Sequence, residues 1–201
     1  MLNQVQSLID NAIGIENYDI GHVFGTNSGG LASLQSPCSA GKARGVTGSA
    51  SPVNDPFDID FVAHEMGHQF GGTHTYNNSC GGNRTDATAV EPGSGSSIMA
   101  YAGLCDFNVQ NNSHDDLHYV NIRDISAILQ TGVSTCAAIT TLTNQPFEYG
   151  KKPSALSTSV NPTLHRSESY PWDLPLREGV CVCVFVCVFE RESVCEYVCV
   201  C

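Results

Sequence analysis

The residues of this chain whose types and spacing can do chemistry lie in the segment AHEMGHQFGGTHTY, positions 63–76. It holds three of the seven histidines, and His64 and His68 are four residues apart. On an α-helix this spacing places two imidazoles on one face, close enough to bind one cation. Glu65 would lie beside that cation, where its carboxylate can hydrogen-bond a water and accept its proton. We therefore predict Glu65 as a general base.

A third nitrogen ligand follows the predicted helix. Gly71 can end the helix because glycine readily takes the left-handed conformation, and His74 can then fold back towards the first two histidines. Three protein ligands leave one position for water, as in a catalytic zinc site, so we predict one catalytic Zn²⁺. A structural zinc site would need a fourth ligand, and Cys80 is the nearby thiol that could supply it. Both kinds of site stay open at this point.

The two helical ligands need a helix that starts well before them. Asp55 can cap it, Pro56 suits its first position, and Asp58 lies three residues after the cap. Apolar residues recur at the spacing of one helical face, at Ile59, Val62, Ala63, Met66 and Phe70. The pattern predicts one face on the core and the histidines in a cleft.

Four other elements are predicted around this helix. A helix from Leu2 to Ile13 stops at Gly14, and a strand over 18–24 ends in a turn at Gly29-Gly30. The segment 42–50, KARGVTGSA, carries two cations and favours an exposed edge strand. A last helix is predicted to begin with Asn121 as its cap and to stop at Gly132. Its buried residues are predicted to be Ile122, Ile125, Ile128 and Leu129. These elements indicate an α+β fold with α/β-like character.

Composition excludes several classes of partner. The chain has 201 residues, 41% hydrophobic and 14% charged, which is ordinary for a globular domain. With 9 Lys and Arg against 20 Asp and Glu, its formal net charge of −11 disfavours nucleic acid and anionic membranes. No apolar run reaches the roughly 20 residues of a membrane helix, and no signal peptide is visible at the N-terminus.

The ten cysteines fall into two groups. Four dispersed cysteines favour two disulfides of a secreted domain, with free buried thiols as the alternative. Of the three possible connectivities, we prefer Cys38–Cys136, which ties a loop to the last helix, and Cys80–Cys105, which closes a long loop. The other six crowd into VCVCVFVCVFERESVCEYVCVC at the end of the chain.

The C-terminal third of the chain differs from the rest in amino-acid composition. We predict a catalytic domain over 1–142, a linker or unstructured segment over 143–178, and a low-complexity tail over 179–201. The Cys-Val alternation of the tail is what TG-repeat DNA would encode, so the tail is expected to be disordered or an artefact of translation. A metal-binding tail and a strand with apolar and thiol faces are the alternatives.

The full pattern His64-Glu65-x-x-His68-x-x-Gly71-x-x-His74, followed by Met99 in SIMAY, resembles the metzincin zinc metalloendopeptidases, and most of all their reprolysin (adamalysin-like) branch. The resemblance implies a catalytic domain with a partial mixed sheet, an active-site helix and a C-terminal helix. It implies that the three histidines bind zinc, that Glu65 activates a zinc-bound water for peptide hydrolysis, and that Met99 forms the Met-turn. It also implies an extracellular location.

Further expectations follow from this resemblance. Tyr101 lies where astacin-like metzincins carry a tyrosine that contacts zinc or the oxyanion, with packing under the site as the alternative. A protein or peptide substrate is expected to lie extended along the edge strand near 42–50. Reprolysins usually have Asp after the third histidine, where this chain has Thr75. Only 63 residues precede His64, so the domain is expected to be truncated at its front, and an inactive fragment is the alternative function.

Overall fold

The computed structural model describes residues 1–26, 28–130 and 136, and the backbone of two strands near the C-terminus. The helices are α1 (Leu2–Ile13), α2 (Asn54–Phe57), α3 (His64–Gln69) and α4 (Tyr119–Gln130), with a π-helical segment at Asp58–Ala63 between α2 and α3. The strands are β1 (Ile20–Gly25), β2 (Gly29–Ala32), β3 (Gly45–Gly48), β4 (Val182–Val188) and β5 (Val194–Val200). Short 3₁₀ segments lie at Ile15–Asn17, Cys80–Gly82 and Asp86–Thr88. The fold is α+β, as predicted.

The sheet is mixed, with the strand order β2-β3-β1-β4-β5. Strands β1 and β3 run parallel, with Val23 opposite Val46, and β2 runs antiparallel to β3, with Leu31 opposite Val46. Helix α1, which the sequence predicts, packs its apolar face on this part of the sheet. Its Ile9 is fully buried with Ala43, in a cluster that also contains Tyr18 and Val23. This core fixes the sheet on which the site is built.

Strand pairing near the C-terminus involves the Cys-Val repeat. Strand β4 pairs antiparallel with β1, and β5 pairs antiparallel with β4. The alternation of two residue types has the period of a strand, whereas the composition of the tail leads us to expect disorder or an artefact. The predicted domain boundaries stay predictions, and the linker over 143–178 lies outside the described residues.

The predicted edge strand is not at the edge of the sheet. Strand β3 lies inside the segment 42–50, and it is paired with β1 on one side and with β2 on the other. The prediction failed because Gly29-Gly30 does not form a turn: these two residues open β2, which becomes the outermost strand. A substrate strand along 42–50 is therefore excluded, since β2 already uses that side of β3.

The helix before the histidines differs from the prediction in its first residue and in the angle between successive side chains. It begins at Asn54 after Val53, so Asp55 lies in the first turn and is not the cap. Residues Asp58–Ala63 form the π-helical segment, which has more residues per turn than an α-helix. A uniform 100° per residue therefore does not describe the faces of this helix. The π segment ends directly before His64.

Helix α4 supports the turn that follows α3. It begins at Tyr119, two residues before the predicted start, and the predicted stop at Gly132 lies outside the described residues. Of the four residues predicted to be buried, Ile122 is 50% and Leu129 is 40% exposed, so that part of the prediction is wrong. The side chains of Ile125 and Ile128 face the glycines that follow α3. The buried Asn121 also donates from Nδ2 to the Thr73 carbonyl oxygen, at 2.8 Å.

Two disulfides join distant parts of the chain. Cys38 is bonded to Cys136, and Cys80 is bonded to Cys105, with Cα–Cα distances of 5.4 and 5.2 Å. These are the two pairs preferred from the sequence among the three connectivities. The second bond closes the loop that contains residues 81–104. Within the described residues, no helix is both long enough and apolar enough to cross a membrane.

A buried polar network ties α3 to the sheet. His22 on β1 is 1% exposed, and its Nδ1 lies 2.7 Å from Gln69 Oε1 while its Nε2 lies 2.8 Å from Thr47 Oγ1. Gln69 also donates to the Gly21 carbonyl oxygen at 3.0 Å. Gln69 follows His68 directly in sequence. The network therefore holds the end of the helix that carries the histidines.

This network predicts a loss of stability in acid. Burial lowers the pKa of His22 to about 4, and the hydrogen bond to Gln69 offsets only part of this effect. In the unfolded chain a histidine has a pKa of about 6.5. Between this pKa and that of the folded chain, His22 therefore binds more protons in the unfolded chain than in the folded one. We expect His22 to reduce the free energy of unfolding by up to about 1.4 kcal/mol per unit as pH falls through this window.

The measurement is urea denaturation of the wild type and of His22→Phe at several pH values from 4 to 8. The variant will be less stable throughout, and its stability should depend less on pH in acid. His114→Asn, which changes an exposed histidine, should keep the wild-type slope. Parallel slopes for His22→Phe and the wild type would contradict the prediction.

Candidate metal centre

Helix α3 brings the first two histidines and Glu65 to one place. His64 and Glu65 are buried and His68 is half-buried. The ring centroids of His64 and His68 are 4.8 Å apart with their planes nearly perpendicular. Spacing of four residues on the helix produces this arrangement, as the sequence predicts.

The turn after α3 returns the third histidine. Gly71 has a φ of +93°, in the left-handed region that favours glycine. His74 follows, and its Nε2 lies 3.3 Å from the Nε2 of His64 and 3.1 Å from that of His68. Among the described residues, these histidines are the one group of three or more His, Cys, Asp or Glu that could hold a metal ion.

The outer nitrogen of each ring fixes where its proton lies. Each Nδ1 is within hydrogen-bonding distance of a backbone carbonyl oxygen: Ile98 at 2.7 Å from His64, Gly72 at 2.8 Å from His68 and Asn83 at 2.6 Å from His74. A carbonyl oxygen only accepts, so each Nδ1 carries the hydrogen. In a neutral imidazole the Nε2 then has a lone pair and no proton. Such partners commonly orient metal-binding histidines.

Three lone pairs therefore meet at the centre of the cluster. Burial, and next the neighbouring His68, lowers the pKa of His64 to about 3, and burial lowers that of His68 to about 4. The pKa of His74 is lowered for the same reason. Three neutral rings cannot satisfy one another by hydrogen bonds, because no Nε2 has a proton to donate. A cation that accepts all three lone pairs satisfies them, and neutral imidazole is a common zinc ligand.

Glu65 lies between two of these histidines in sequence, and one of its carboxylate oxygens has no hydrogen-bond partner among the described residues. This oxygen, Oε2, is buried, and burial raises the pKa of Glu65 to about 7. Strand β2 passes directly over the carboxylate: a Cβ at Gly30 would lie 2.2 Å from Oε1. The Glu65 carboxylate therefore lies directly beneath the outermost strand of the sheet.

Met99, the residue predicted to form a Met-turn, lies against helix α3. It is fully buried, and its Sδ lies against Gly67, where a Cβ would come within 2.4 Å of the sulfur. The Met99 carbonyl oxygen accepts from the Thr75 backbone N–H at 3.2 Å. The methionine thus packs between the helix and the residue that follows the third histidine.

Tyr101 lies against the cluster. Its ring centroid is 5.5 Å from that of His64 and 4.6 Å from that of His74. Burial and then the charge of Glu65 raise the pKa of Tyr101. Tyr76 was not predicted from the sequence: it is fully buried, and its hydroxyl lies 3.1 Å from His74 Nδ1.

The disulfide at Cys80 decides against a structural zinc site. Cys80 is bonded to Cys105, so it has no thiolate to act as a fourth ligand. Of the four histidines outside the motif, His22 belongs to the buried network described above, and His165 lies outside the described residues. Among the described residues, the group that could hold a metal ion therefore consists of the three histidines alone.

Comparison with models of protein families gives a match. The family described as metallo-peptidase family M12B, reprolysin-like, matches the chain over residues 2–144. This range includes the three histidines, Glu65 and Met99, and it covers more than half of the chain. A search of curated proteins finds no match.

Proposed function

The chain belongs to the reprolysin-like metallopeptidases of family M12B, and from this premise we propose that it is a zinc-dependent endopeptidase. His64, His68 and His74 are the proposed zinc ligands, Glu65 is the general base, and Met99 forms the Met-turn. The observation that carries the proposal is the convergence of three unprotonated Nε2 atoms beside a buried carboxylate oxygen without a partner. Together these groups supply what hydrolysis of a peptide bond needs.

The histidines fit zinc in number and in donor type. A zinc ion bound here would polarise the peptide carbonyl and lower the pKa of a water towards ~7. The backbone carbonyls of Ile98, Gly72 and Asn83 keep the three rings in the tautomer that binds a metal. The chain therefore prepares the ligand set before any ion arrives.

Glu65 moves the proton in this proposal. Its Oε2 accepts a proton from the attacking water and then returns it to the nitrogen of the leaving amine. Burial raises its pKa to about 7, so the carboxyl group can accept and release a proton near neutrality. The same burial excludes bulk water from the transfer. Tyr101, whose ring lies against His64 and His74, is proposed to donate its hydroxyl to the developing oxyanion.

Substrate is proposed to be a protein or peptide in extended conformation. Strand β2 is the outermost strand on the side of Glu65, and residues Gly29, Gly30 and Leu31 are exposed. An extended peptide can add to such an edge by backbone hydrogen bonds. Because Gly30 lies over the Glu65 carboxylate, a peptide on this edge passes the catalytic groups. The parent family and the two disulfides support an extracellular location.

The proposal is tested with the full chain. Zinc is measured by atomic absorption after gel filtration, and cleavage of casein is followed with and without 1,10-phenanthroline. We expect one zinc per chain, and cleavage that is lost with the chelator and restored by added zinc. Cleavage that persists after the metal has been removed would refute the mechanism. Absence of cleavage together with absence of a cooperative thermal transition would favour the inactive fragment.

Tyr101→Phe separates an oxyanion role from packing. The substitution removes the hydroxyl and keeps the ring against His74, so we expect kcat to fall by about 10²-fold, the loss found for one oxyanion donor, with little change in KM. Tyr119→Phe is the matched control, because Tyr119 is 70% exposed on α4. Steady-state kinetics on a fluorogenic peptide makes the comparison. A kcat equal to that of the control would leave Tyr101 as a packing residue.

A further inference from the structure

A buried carboxylate outside the histidine motif lies in the loop after the third histidine. Glu91 is 6% exposed. Its Oε1 accepts from the backbone N–H of Ser96 at 2.9 Å and of Ser97 at 3.1 Å, and from the Ser96 hydroxyl at 3.3 Å. Its Oε2 accepts from the Ser97 hydroxyl at 2.5 Å. Burial disfavours the charge, but these hydrogen bonds outweigh it and keep the pKa of Glu91 below its ordinary value.

The backbone of Glu91 is tied to the residues that follow His74. The Glu91 N–H donates to the Thr75 carbonyl oxygen at 2.8 Å, and the Glu91 carbonyl oxygen accepts from the Asn77 N–H at 2.8 Å. Main chain and side chain of Glu91 therefore hold two different segments. One segment follows the third histidine, and the other is the serine pair before Met99.

The serine pair is adjacent to the carbonyl that orients His64. Ser97 is followed by Ile98, whose carbonyl oxygen accepts from His64 Nδ1 at 2.7 Å. The next carbonyl, that of Met99, accepts from the Thr75 N–H at 3.2 Å. A displacement of Ser97 would move both carbonyls, and with them the direction of the His64 ring.

We propose that Glu91 is a positioning residue of the metal centre, which fixes the Ile98 carbonyl and so the direction of His64 Nε2. The inference rests on the proposed zinc site. The residue after the third histidine, Thr75, supplies no charge, and its hydroxyl is 3.4 Å from that of Ser97. The carboxylate that hydrogen-bonds to Ser97 belongs instead to Glu91, which lies sixteen positions after Thr75 in the sequence. Glu91 thus acts on the metal only through the backbone that it holds.

The proposal predicts different results for two substitutions. Glu91→Ala leaves the N–H groups of Ser96 and Ser97 without their acceptor, so the segment must shift to find other partners. Glu91→Gln keeps the shape and one carbonyl oxygen for both N–H groups, and its amide can donate to the Ser97 hydroxyl. Glutamine should therefore restore most of the geometry, although it lacks the charge.

The experiment measures the metal site apart from activity. Full-length wild type, Glu91→Ala and Glu91→Gln are titrated with zinc against a chromophoric chelator, and the visible spectrum of each is recorded with Co²⁺ in place of zinc. We expect Glu91→Ala to raise the Kd for zinc by about 10- to 100-fold, the usual range for a residue that orients a metal ligand, and to change the Co²⁺ bands. Glu91→Gln should lie close to the wild type in both measurements.

Gln6→Ala is the control for a general loss of stability. Gln6 is also buried, and its side chain bonds to Asp10, Tyr18 and the Ala43 N–H, far along the chain from the histidine motif. We expect it to lower Tm without changing Kd or the Co²⁺ spectrum. Equal Kd values and spectra for Glu91→Ala, Gln6→Ala and the wild type would overturn the proposal.

Three further outcomes would each decide against part or all of the proposal. Where Glu91→Ala does not fold, Ser97→Ala takes its place, since it removes the 2.5 Å hydrogen bond and keeps the backbone; an unchanged Kd and Co²⁺ spectrum in that variant would overturn the proposal. A wild type that binds no zinc would refute the proposed function, and the positioning role with it. A wild type that binds zinc and cleaves casein, beside a Glu91→Ala variant that binds equally well, would refute the positioning role alone.

Discussion

Glu65→Gln is expected to abolish measurable peptide cleavage while one zinc per chain stays bound. The amide has the size of the carboxyl group but cannot accept the proton of the attacking water, and loss of a general base lowers kcat by about 10²–10⁴-fold. The three histidines do not depend on the Glu65 side chain for their orientation, because their Nδ1 atoms bond to backbone carbonyls. Atomic absorption measures whether zinc stays bound, and kcat on a fluorogenic peptide measures whether cleavage is lost.

The control for this substitution is Glu16→Gln, which makes the same change at an exposed glutamate. It should keep the kcat of the wild type. The Glu65 variant should also be at least as stable as the wild type, since it replaces a buried carboxyl group with an amide of the same size that carries no charge. Proteolysis that survives in Glu65→Gln would refute the role of Glu65 as the base.

His68→Ala is expected to eliminate stoichiometric zinc and the stability that zinc confers. Two histidines remain, and the half-buried third ring is replaced by a methyl group. A ligand that binds only the folded state at 1,000 times its Kd stabilises it by about 4 kcal/mol, so the wild type should lose several degrees of Tm in EDTA. The variant should show the same low Tm with and without EDTA.

His114→Ala is the matched control, because it removes an exposed histidine outside the cluster. Its zinc content and its shift of Tm in EDTA should equal those of the wild type. One zinc per chain in His68→Ala after gel filtration would show that this ring is not a ligand.

Local sequence patterns predicted the parts of the fold that depend on neighbouring residues. Helix α1 has the predicted bounds because its apolar spacing and Gly14 are both local signals. The histidine cluster was also predictable, since its spacing on α3 and the glycine turn are properties of one segment. These features need no information about the rest of the chain.

Features that depend on tertiary contacts were missed. The dipeptide Gly29-Gly30 predicts a turn, but pairing with β3 makes it a strand. Apolar periodicity indicates that α4 has an apolar face without showing what covers it, so Ile122 was wrongly predicted as buried. Glu91 lies in a loop rich in Gly and Ser, where a glutamate is ordinarily exposed to solvent. Only the structure shows that Ser96 and Ser97 surround its carboxylate.

The acceptors that orient the three ligand rings have a consequence for sequence divergence. They are main-chain oxygens at positions 72, 83 and 98, and every amino acid, proline included, supplies that atom. Substitutions at these three positions do not delete the acceptor itself, provided that the backbone keeps its path. Relatives can therefore differ there and keep the same ring tautomers, so that a comparison of side chains alone would overlook these partners.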